Sequence, residues 1–212
     1  MRRVTIDAGQ PSRETLAVAA VVIHAGGVVA MPTDTLYGFA ADPNSAAAIA
    51  RVFAIKGRGA ERAVALVAAD ARQVIAQLGA LPAIANRLAE KYWPGPLTLL
   101  VPRPASIPAE LTGGSDHVGV RVPAHAVTRE LCRACGHLLT ATSANLSGEP
   151  PSNDPEDVAR AFAVSDVELL LDAGKTPGGP PSTVISIQND EVRLVRAGAI
   201  SWEDVQACAR PK

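Results

Sequence analysis

The chain has 212 residues, which at roughly 150 residues per domain predicts a single domain over residues 1–212. Hydrophobic residues make up 48% of the chain, but no apolar run approaches the roughly 20 residues that cross a bilayer, so no membrane span is expected. With a formal net charge of −1, the chain lacks the excess of basic residues that is typical of a non-specific nucleic-acid binder. Three cysteines argue for a reducing compartment, and the N-terminus lacks the apolar core of a secretory signal, so the predicted location is cytoplasmic.

The apolar pattern alternates between a helical period and short runs of Val, Ile and Leu, which is typical of a layered α/β domain. The predicted helices cover residues 12–24, 44–55, 70–78, 82–92, 126–135 and 154–162. The predicted strands cover residues 28–31, 64–67, 97–101, 118–122, 138–142, 167–171, 183–187 and 192–195. The last two strands are expected to form a hairpin through Gln188, Asn189 and Asp190, so parallel and antiparallel pairs are expected together.

Polar residues occupy the loop from Pro32 to Gly38, between a predicted strand and the next predicted helix. Open α/β sheets usually bind ligands at such strand-to-helix loops. Thr and Asp are also favoured in ordinary turns. A turn that caps the following helix therefore explains Thr33, Asp34 and Thr35 equally well.

Three cations, Lys56, Arg58 and Arg62, lie on the glycine-containing loop after the second predicted helix. A guanidinium can make two parallel hydrogen bonds to phosphate oxygens and an ammonium adds a mobile charge, which together suit a nucleotide triphosphate. Cations at the C-terminus of a helix also complement the helix dipole. That simpler interpretation stays open for this loop.

Small polar residues and cations also accompany later strands. Ser143 and Asn145 follow a predicted strand, where small donors permit a ligand to approach closely, although a turn rich in Ser and Asn is the alternative. Arg121 interrupts an apolar strand, so it is paired or faces a ligand if it is buried, and points to solvent if the strand lies at an edge. Ser182 and Arg196 stand at the two ends of the predicted hairpin.

Several other motifs lack part of their pattern. The segment Gly174 to Thr176 is similar to the end of a P-loop, but that pattern requires a glycine where Leu169 stands. Cys132 and Cys135 have no second pair of cysteines to complete a zinc site, so an amphipathic helix is favoured and no metal site is predicted. No Gly-x-Ser-x-Gly motif marks a hydrolase nucleophile.

Six segments, taken in order, resemble the YrdC-like family. They are Pro32 to Gly38, Lys56 to Arg58, Trp93 to Thr98, Val120 to Val122, Ser143 to Gly148 and Pro181 to Val184. The match extends over about residues 16–200, and six ordered motifs are far more specific than any one of them. The resemblance implies a single YrdC-like α/β domain with a twisted, open sheet of mixed parallel and antiparallel strands flanked by helices.

In this family the standalone proteins are L-threonylcarbamoyladenylate synthases. The resemblance therefore implies that ATP, L-threonine and bicarbonate give threonylcarbamoyl-AMP, pyrophosphate and water, and that partner proteins later transfer the activated group to tRNA position 37. Threonine carbamate is itself the nucleophile, so the protein must align it with the triphosphate and neutralise the pyrophosphate. ATP is expected with Mg²⁺ on its phosphates, an ion that needs no dedicated protein site.

The same resemblance implies site residues, with Lys56 and Arg58 as the expected catalytic residues. The implied ATP-binding residues are Lys56, Arg58, Arg62, Ser143, Asn145 and Arg196. The implied threonine-binding residues are Thr33, Thr35, Arg121 and Ser182. In that set Arg121 is the expected partner of the threonine carboxylate, and Asp34 is expected to orient its loop.

The chain departs from the family pattern at three positions. Many members read Lys-x-Arg-Pro, followed by an asparagine and later by a histidine that contacts threonine. Gly59, Arg62 and Val67 stand at those positions here. The short bacterial branch also lacks the histidine and the C-terminal extension of the longer branch, so this chain is expected to belong nearer the short branch.

Two other functions stay as alternatives. An RNA-binding or translation-related module of the same fold predicts a shallow basic groove and affinity that falls steeply with salt. The net charge and the seven aromatic residues count against it, because single-strand binding relies on aromatic stacking. A carbamoyl-adenylate-forming domain, as in hydrogenase-maturation carbamoyltransferases, usually comes fused to segments for which this chain has neither the length nor the cysteines.

Overall fold

The structure is a computed structural model that describes residues 1–57, 59, 63–188 and 191–210. Its strands are β1 (Arg2–Thr5), β2 (Val28–Met31), β3 (Gly38–Ala40), β4 (Ala65–Val67), β5 (Leu97–Pro102), β6 (His117–Arg121), β7 (Leu139–Ser143), β8 (Val167–Asp172), β9 (Thr183–Gln188) and β10 (Glu191–Arg196). Its helices are α1 (Arg13–His24), α2 (Ala46–Lys56), α3 (Ala71–Leu78), α4 (Ala83–Tyr92), α5 (Ala126–Cys135), α6 (Pro155–Ala161) and α7 (Trp202–Ala209). A 3₁₀ turn covers Ala109–Thr112.

The strands form one open sheet in the order β1-β8-β2-β3-β7-β4-β6-β5-β9-β10. Strands β1 and β2 both run parallel to β8, β4 runs parallel to β6, and β5 runs parallel to β9. The other neighbouring strands pair antiparallel. The mixed, open sheet expected from the sequence is therefore confirmed.

Helices cover both faces of the sheet, and β2 shows the consequence in its sequence. All four of its residues are buried. Val29 and Met31 face the core formed with α1 and α5. Val28 and Ala30 face the core that contains residues of α2 and α6. A continuous apolar run, rather than an alternating one, is the pattern of a strand covered on both faces.

Local signals in the sequence set the ends of α2. The Ser45 hydroxyl accepts a hydrogen bond from the Ala48 backbone N–H at 3.2 Å, which satisfies one of the free donors at the start of a helix. Gly57 ends the helix in the left-handed conformation with φ of 62°, which glycine adopts without a steric penalty. Lys56 is therefore fixed as the last residue of the helix.

All predicted helices and strands are present, with ends displaced by at most two residues. Strands β1 and β3, helix α7 and the 3₁₀ turn lie outside the predicted set. Strand β3 corrects the interpretation of the loop from Pro32 to Gly38, because this loop joins β2 to an antiparallel neighbour rather than to a helix. No helix in the described part of the chain is long and apolar enough to span a membrane.

Candidate functional site

A cavity of about 630 Å³ lies against the half of the sheet formed by β7, β4, β6, β5, β9 and β10. Four of the predicted site residues line it together: Arg121, Ser143, Ser182 and Arg196. Apolar side chains such as those of Leu66, Leu100, Val118 and Val184 form much of its wall. The lining residues that the structure describes include two arginines and no carboxylate, so the cavity favours an anionic ligand.

Arg121 meets Asp34 where the end of β6 approaches the loop after β2. The distance from Nη1 to Oδ1 is 3.3 Å, and the two side chains are only 9% and 11% exposed. The ion pair is longer than the roughly 2.7–2.9 Å of a charge-assisted hydrogen bond, and neither atom makes a hydrogen bond to any other described residue. Burial lowers the pKa of Arg121, which Asp34 opposes and Arg196 reinforces. An arginine stays charged nonetheless, so Arg121 can still receive an anion.

Arg196 is held at the other side of the cavity by the chain just before β9. Its Nη2 donates to the Ser182 carbonyl at 2.7 Å and to the Ser182 hydroxyl at 3.0 Å. The Ser182 hydroxyl also lies 2.8 Å from the hydroxyl of Thr98 on β5. Burial lowers the pKa of Arg196. The two predicted residues at the ends of the hairpin are thus in direct contact.

Lys56 is buried beside the cavity, and its hydrogen bonds stabilise the loop that follows β7. Lys56 is only 2% exposed. Its Nζ donates to the Ser143 carbonyl at 2.5 Å, the Asn145 carbonyl at 2.9 Å and the Asn145 side-chain oxygen at 3.1 Å. These acceptors match the three hydrogens of an ammonium. Lys56 therefore organises the segment that carries Ser143 to the cavity, a role that the sequence did not indicate.

Asn145 shares in the same loop. Its Nδ2 donates to the carbonyls of Leu146 at 2.8 Å and Glu149 at 2.5 Å, and its Oδ1 accepts from the Ser143 hydroxyl at 2.5 Å. Ser143 lines the cavity, whereas Asn145 is not among the described lining residues. Both the oxygen and the nitrogen of the Asn145 side-chain amide thus make hydrogen bonds that stabilise the loop.

Thr33 and Thr35 lie within the loop after β2. The Thr33 hydroxyl accepts from the backbone N–H groups of Thr35 and Leu36, each at 3.2 Å, and donates to the Leu36 carbonyl at 2.7 Å. The two threonine hydroxyls are 3.2 Å apart. Leu36 lines the cavity, but neither threonine is among the described lining residues. Their hydroxyls therefore stabilise the turn that ends at the cavity.

Two predicted ATP-binding residues, Arg58 and Arg62, lie outside the described residues. The polar lining residues that were not singled out from the sequence include Thr98, Thr112, Ser115 and His117. Thr98 is the last residue of the Trp93 to Thr98 segment, which contributed to the family resemblance. That segment was the only sequence signal that pointed to Thr98.

The P-loop-like segment and the two cysteines, which lacked part of their motifs, make other contacts in the structure. Lys175 forms an ion pair with Asp154 at 2.9 Å, on a side chain that is 72% exposed. The thiol of Cys132 donates to the Val67 carbonyl at 3.5 Å, and burial raises its pKa. Burial also raises the pKa of Cys135 to about 12. Among the described residues, no group of three or more His, Cys, Asp or Glu side chains could hold a metal ion.

We expect His125 to make the folded chain sensitive to acid. Burial is the largest influence and lowers the pKa of His125, Asp34 raises it, and Arg129 lowers it. His125 of the unfolded chain therefore binds a proton more readily than His125 of the folded chain. The contribution of the neutral side chain to the free energy of unfolding is complete above about pH 6.5, and it is lost as the pH falls through the lowered pKa of the folded state. His125→Asn should flatten the fall in Tm between pH 7 and pH 5, measured by differential scanning calorimetry. If Tm falls as much between pH 7 and pH 5 in this variant as in the wild type, His125 is not the group responsible.

Gly198 is expected to be irreplaceable beside the Ser182 segment. A Cβ at this position would lie 2.3 Å from the Pro181 carbonyl oxygen and 2.5 Å from the Ser182 carbonyl carbon. These are backbone atoms, which cannot move aside as a flexible side chain can. Gly198→Ala should lower the stability by about 1–3 kcal/mol, the usual range for overpacking. Urea unfolding of this variant beside Gly9→Ala, whose φ is not positive and whose added Cβ would meet nothing closer than Asp7 Oδ1 at 3.6 Å, separates the steric effect from the loss of a glycine.

The fold and the cavity define the class of protein. It is an α/β protein with a mixed sheet that carries, on one half, a cavity with two arginines and several hydroxyl groups. The family Sua5/YciO/YrdC, described as "Telomere recombination", matches residues 21–198. The match covers most of the chain, and the chain belongs to this family.

Relatives with assigned activities share much of this sequence. A threonylcarbamoyl-AMP synthase of Nitrosococcus oceani is 41% identical over 154 residues, which are 73% of this chain and 83% of the relative. A threonylcarbamoyl-AMP synthase of Pyrococcus abyssi is 36% identical over 189 residues, which are 89% of this chain. This chain spans only 55% of the length of that relative.

A solved structure also matches this fold closely. The crystal structure of Pyrococcus abyssi Sua5 complexed with L-threonine superposes with a TM-score of 0.91 at 33% identity. The match covers 98% of this chain and 61% of the Pyrococcus abyssi chain. The YrdC-like fold expected from the sequence is therefore confirmed.

Proposed function

We propose that this chain is an L-threonylcarbamoyladenylate synthase, a nucleotidyltransferase that acts in tRNA modification. L-Threonine and bicarbonate condense to threonine carbamate with loss of water. The carbamate oxygen then attacks the α-phosphorus of ATP, the bond to the bridging oxygen breaks, and pyrophosphate leaves. The products are threonylcarbamoyl-AMP, pyrophosphate and water.

The observation that carries this proposal is the charge of the cavity. Arg121 and Arg196 both line it, and Arg121 is buried with an ion pair that leaves Nη1 without a hydrogen bond among the described residues. Every reactant in the proposed reaction carries a negative group, and the leaving group is a polyanion. Fixed cations in a site of low polarity stabilise such charge without reorganisation.

The proposed substrate contacts follow the two sides of the cavity. Arg121 receives the threonine carboxylate, and Ser182 supplies a hydroxyl to the same substrate. Arg196 and Ser143 contact the nucleotide. The apolar wall that includes Leu66 and Leu100 suits the flat face of a purine, because burying apolar surface stabilises a bound ring.

The remaining predicted residues have roles that support these contacts. Lys56 and Asn145 stabilise the loop that carries Ser143. Thr33 and Thr35 stabilise the turn that contains Asp34, which forms the ion pair with Arg121. Arg58 and Arg62 remain proposed ligands of the triphosphate on the strength of their sequence positions. Together they would neutralise the pyrophosphate as it leaves.

Cofactor and partners belong to the same proposal. Mg²⁺ would enter with ATP and would supply positive charge to its phosphates. The activated threonylcarbamoyl group would pass to separate transfer proteins that act on tRNA. Direct contact with tRNA, the remaining partner, would be detected as RNA binding that weakens with salt.

The test is pyrophosphate release by the purified chain with ATP, Mg²⁺ and bicarbonate, with and without L-threonine. Mass spectrometry of the products identifies threonylcarbamoyl-AMP. We expect pyrophosphate release that depends on L-threonine, together with the product mass. Isothermal titration with ATP establishes beforehand that the preparation is folded and binds the nucleotide.

Two outcomes would overturn the proposal. Release of pyrophosphate that is independent of L-threonine, with carbamoyl phosphate as the better donor, would favour a carbamoyl-adenylate-forming domain. No turnover with either donor, together with RNA binding that weakens steeply with salt, would favour the RNA-binding alternative.

A further inference from the structure

A hydroxyl that the proposed function does not use lies beside Ser182. Thr98 is on β5, lines the cavity and is only 4% exposed. Its Oγ1 is 2.8 Å from the Oγ of Ser182. The same Ser182 oxygen receives Arg196 Nη2 at 3.0 Å. Three side chains from three neighbouring strands or their ends thus meet at one oxygen atom.

The chemistry of these groups limits how their hydrogens can be arranged. A guanidinium is a donor only, so the Ser182 oxygen must accept from Arg196. If Thr98 also donates to that oxygen, both lone pairs of Ser182 are occupied and its own hydrogen points to a ligand. If Ser182 instead donates to Thr98, it can no longer donate to a ligand. Thr98 therefore decides whether Ser182 presents a donor to the cavity.

Packing keeps Thr98 in place for this task. Its Cγ2 methyl lies over Gly119 of the neighbouring strand β6, where an added Cβ would be 3.1 Å from it. On the other side of β5, Thr98 lies in register with Val184 of β9, two residues beyond Ser182. The methyl group thus occupies the side towards β6 while the hydroxyl contacts Ser182.

We propose that Thr98 is a positioning residue of the amino-acid site, which directs the hydrogen of the Ser182 hydroxyl towards the threonine substrate. The inference rests on the proposed function, and on Ser182 contacting threonine rather than ATP. A carboxylate or carbonyl oxygen of the substrate accepts the hydrogen bond. Thr98 itself makes no contact with the substrate in this arrangement.

The test compares L-threonine binding by the full chain and by Thr98 variants, using isothermal titration without ATP. Thr98→Val keeps the shape of the side chain and removes the hydroxyl. It should weaken L-threonine binding by about 3- to 10-fold, the usual effect of one neutral hydrogen bond, and raise the KM for threonine more than that for ATP. Thr98→Ser restores the hydroxyl and should bind within about 2-fold of the wild type.

A double-mutant cycle shows whether Thr98 acts through Ser182. In the Ser182→Ala background, Thr98→Val should have no further effect on threonine affinity, because the group it orients is absent. Additive losses from the two substitutions overturn the positioning role. Should Thr98→Val fail to fold, Thr98→Ala and Thr98→Ser provide the same comparison with and without the hydroxyl.

A matched control removes another buried threonine hydroxyl. Thr140 is fully buried on β7, and its hydroxyl accepts from the Ala41 N–H at 2.8 Å. Thr140→Val should lower Tm as Thr98→Val does, but leave threonine affinity unchanged. Equal threonine binding by the wild type and Thr98→Val overturns the positioning role alone, whereas absence of threonine binding by the wild type overturns the proposed function with it.

Discussion

Arg121→Ala should raise the KM for L-threonine by about 10- to 100-fold and change the KM for ATP far less, as expected when one charge-assisted hydrogen bond to a carboxylate is lost. The guanidinium lies in the cavity with an ion pair to Asp34 that is 3.3 Å long. Because that pair does not use up its donors, a substrate carboxylate can bind Arg121 more closely than Asp34 does. Steady-state kinetics with each substrate varied in turn measures the two constants.

The same substitution should also destabilise the fold, and a second variant separates the two effects. Removing one partner of a buried ion pair leaves the other charge unpaired, at a cost of about 3–5 kcal/mol. Arg121→Ala combined with Asp34→Ala removes both charges and should recover most of that stability. The double variant should still bind threonine weakly, because the group that meets the substrate is absent.

An exposed arginine provides the control for Arg121. Arg133 forms ion pairs at the surface, where its side chain is 42% exposed. Arg133→Ala should leave both KM values and Tm essentially unchanged, because exposed ion pairs contribute little. A larger rise in the KM for ATP than for threonine in Arg121→Ala would move Arg121 to the nucleotide side of the cavity.

Lys56→Met should lower the free energy of unfolding by about 2–4 kcal/mol, because it leaves buried acceptors without their charged donor. The ammonium contacts the carbonyl oxygens of Ser143 and Asn145 and the Asn145 side-chain oxygen. In a chain of this size that loss corresponds to a fall in Tm of about 5–15 °C. Calorimetry measures Tm, and the pyrophosphate assay should show that activity falls with the displaced loop.

Lys175→Met is the matched control for Lys56→Met. Lys175 has an ion pair with Asp154, but its side chain is 72% exposed. The control should unfold at the same temperature as the wild type and remain active. A Lys56→Met chain that is as stable as the wild type, yet inactive, would show that Lys56 acts on the nucleotide directly rather than through the loop.

Much of the fold is encoded locally, and α2 and β2 illustrate how. Ser45 and Gly57 supply the start and stop signals of α2, and the unbroken apolar run from Val28 to Met31 predicts a strand covered on both faces. A signal of the same kind was missed at α7, where the Ser201 hydroxyl accepts a hydrogen bond from the Asp204 N–H at 3.1 Å. Strand β3 has only three residues and follows a polar loop, so its place in the sheet depends on its pairing with β2 and β7.

The candidate site was predictable as a set of segments rather than as a set of contacts. Arg121, Ser143, Ser182 and Arg196 were all singled out from the sequence, and they do line one cavity. The sequence left a turn and a ligand as equal explanations of Thr33, and the structure shows its hydroxyl bonded within its own turn. Hydrogen bonds within a turn depend on backbone angles, which the residue types Thr and Asp leave open.

By itself the sequence determined most of the helices and strands, the ends of those helices to within two residues, and the family, because these depend on short-range patterns and on motifs read along the chain. Only the tertiary structure decided that Asp34 meets Arg121, that Thr98 meets Ser182, and that Lys56 is buried beneath the Ser143 loop. The physical reason is the strand order. Strand β9 inserts next to β5 and β7 lies between β3 and β4, so these partners are brought together by pairing between strands that are distant in the chain.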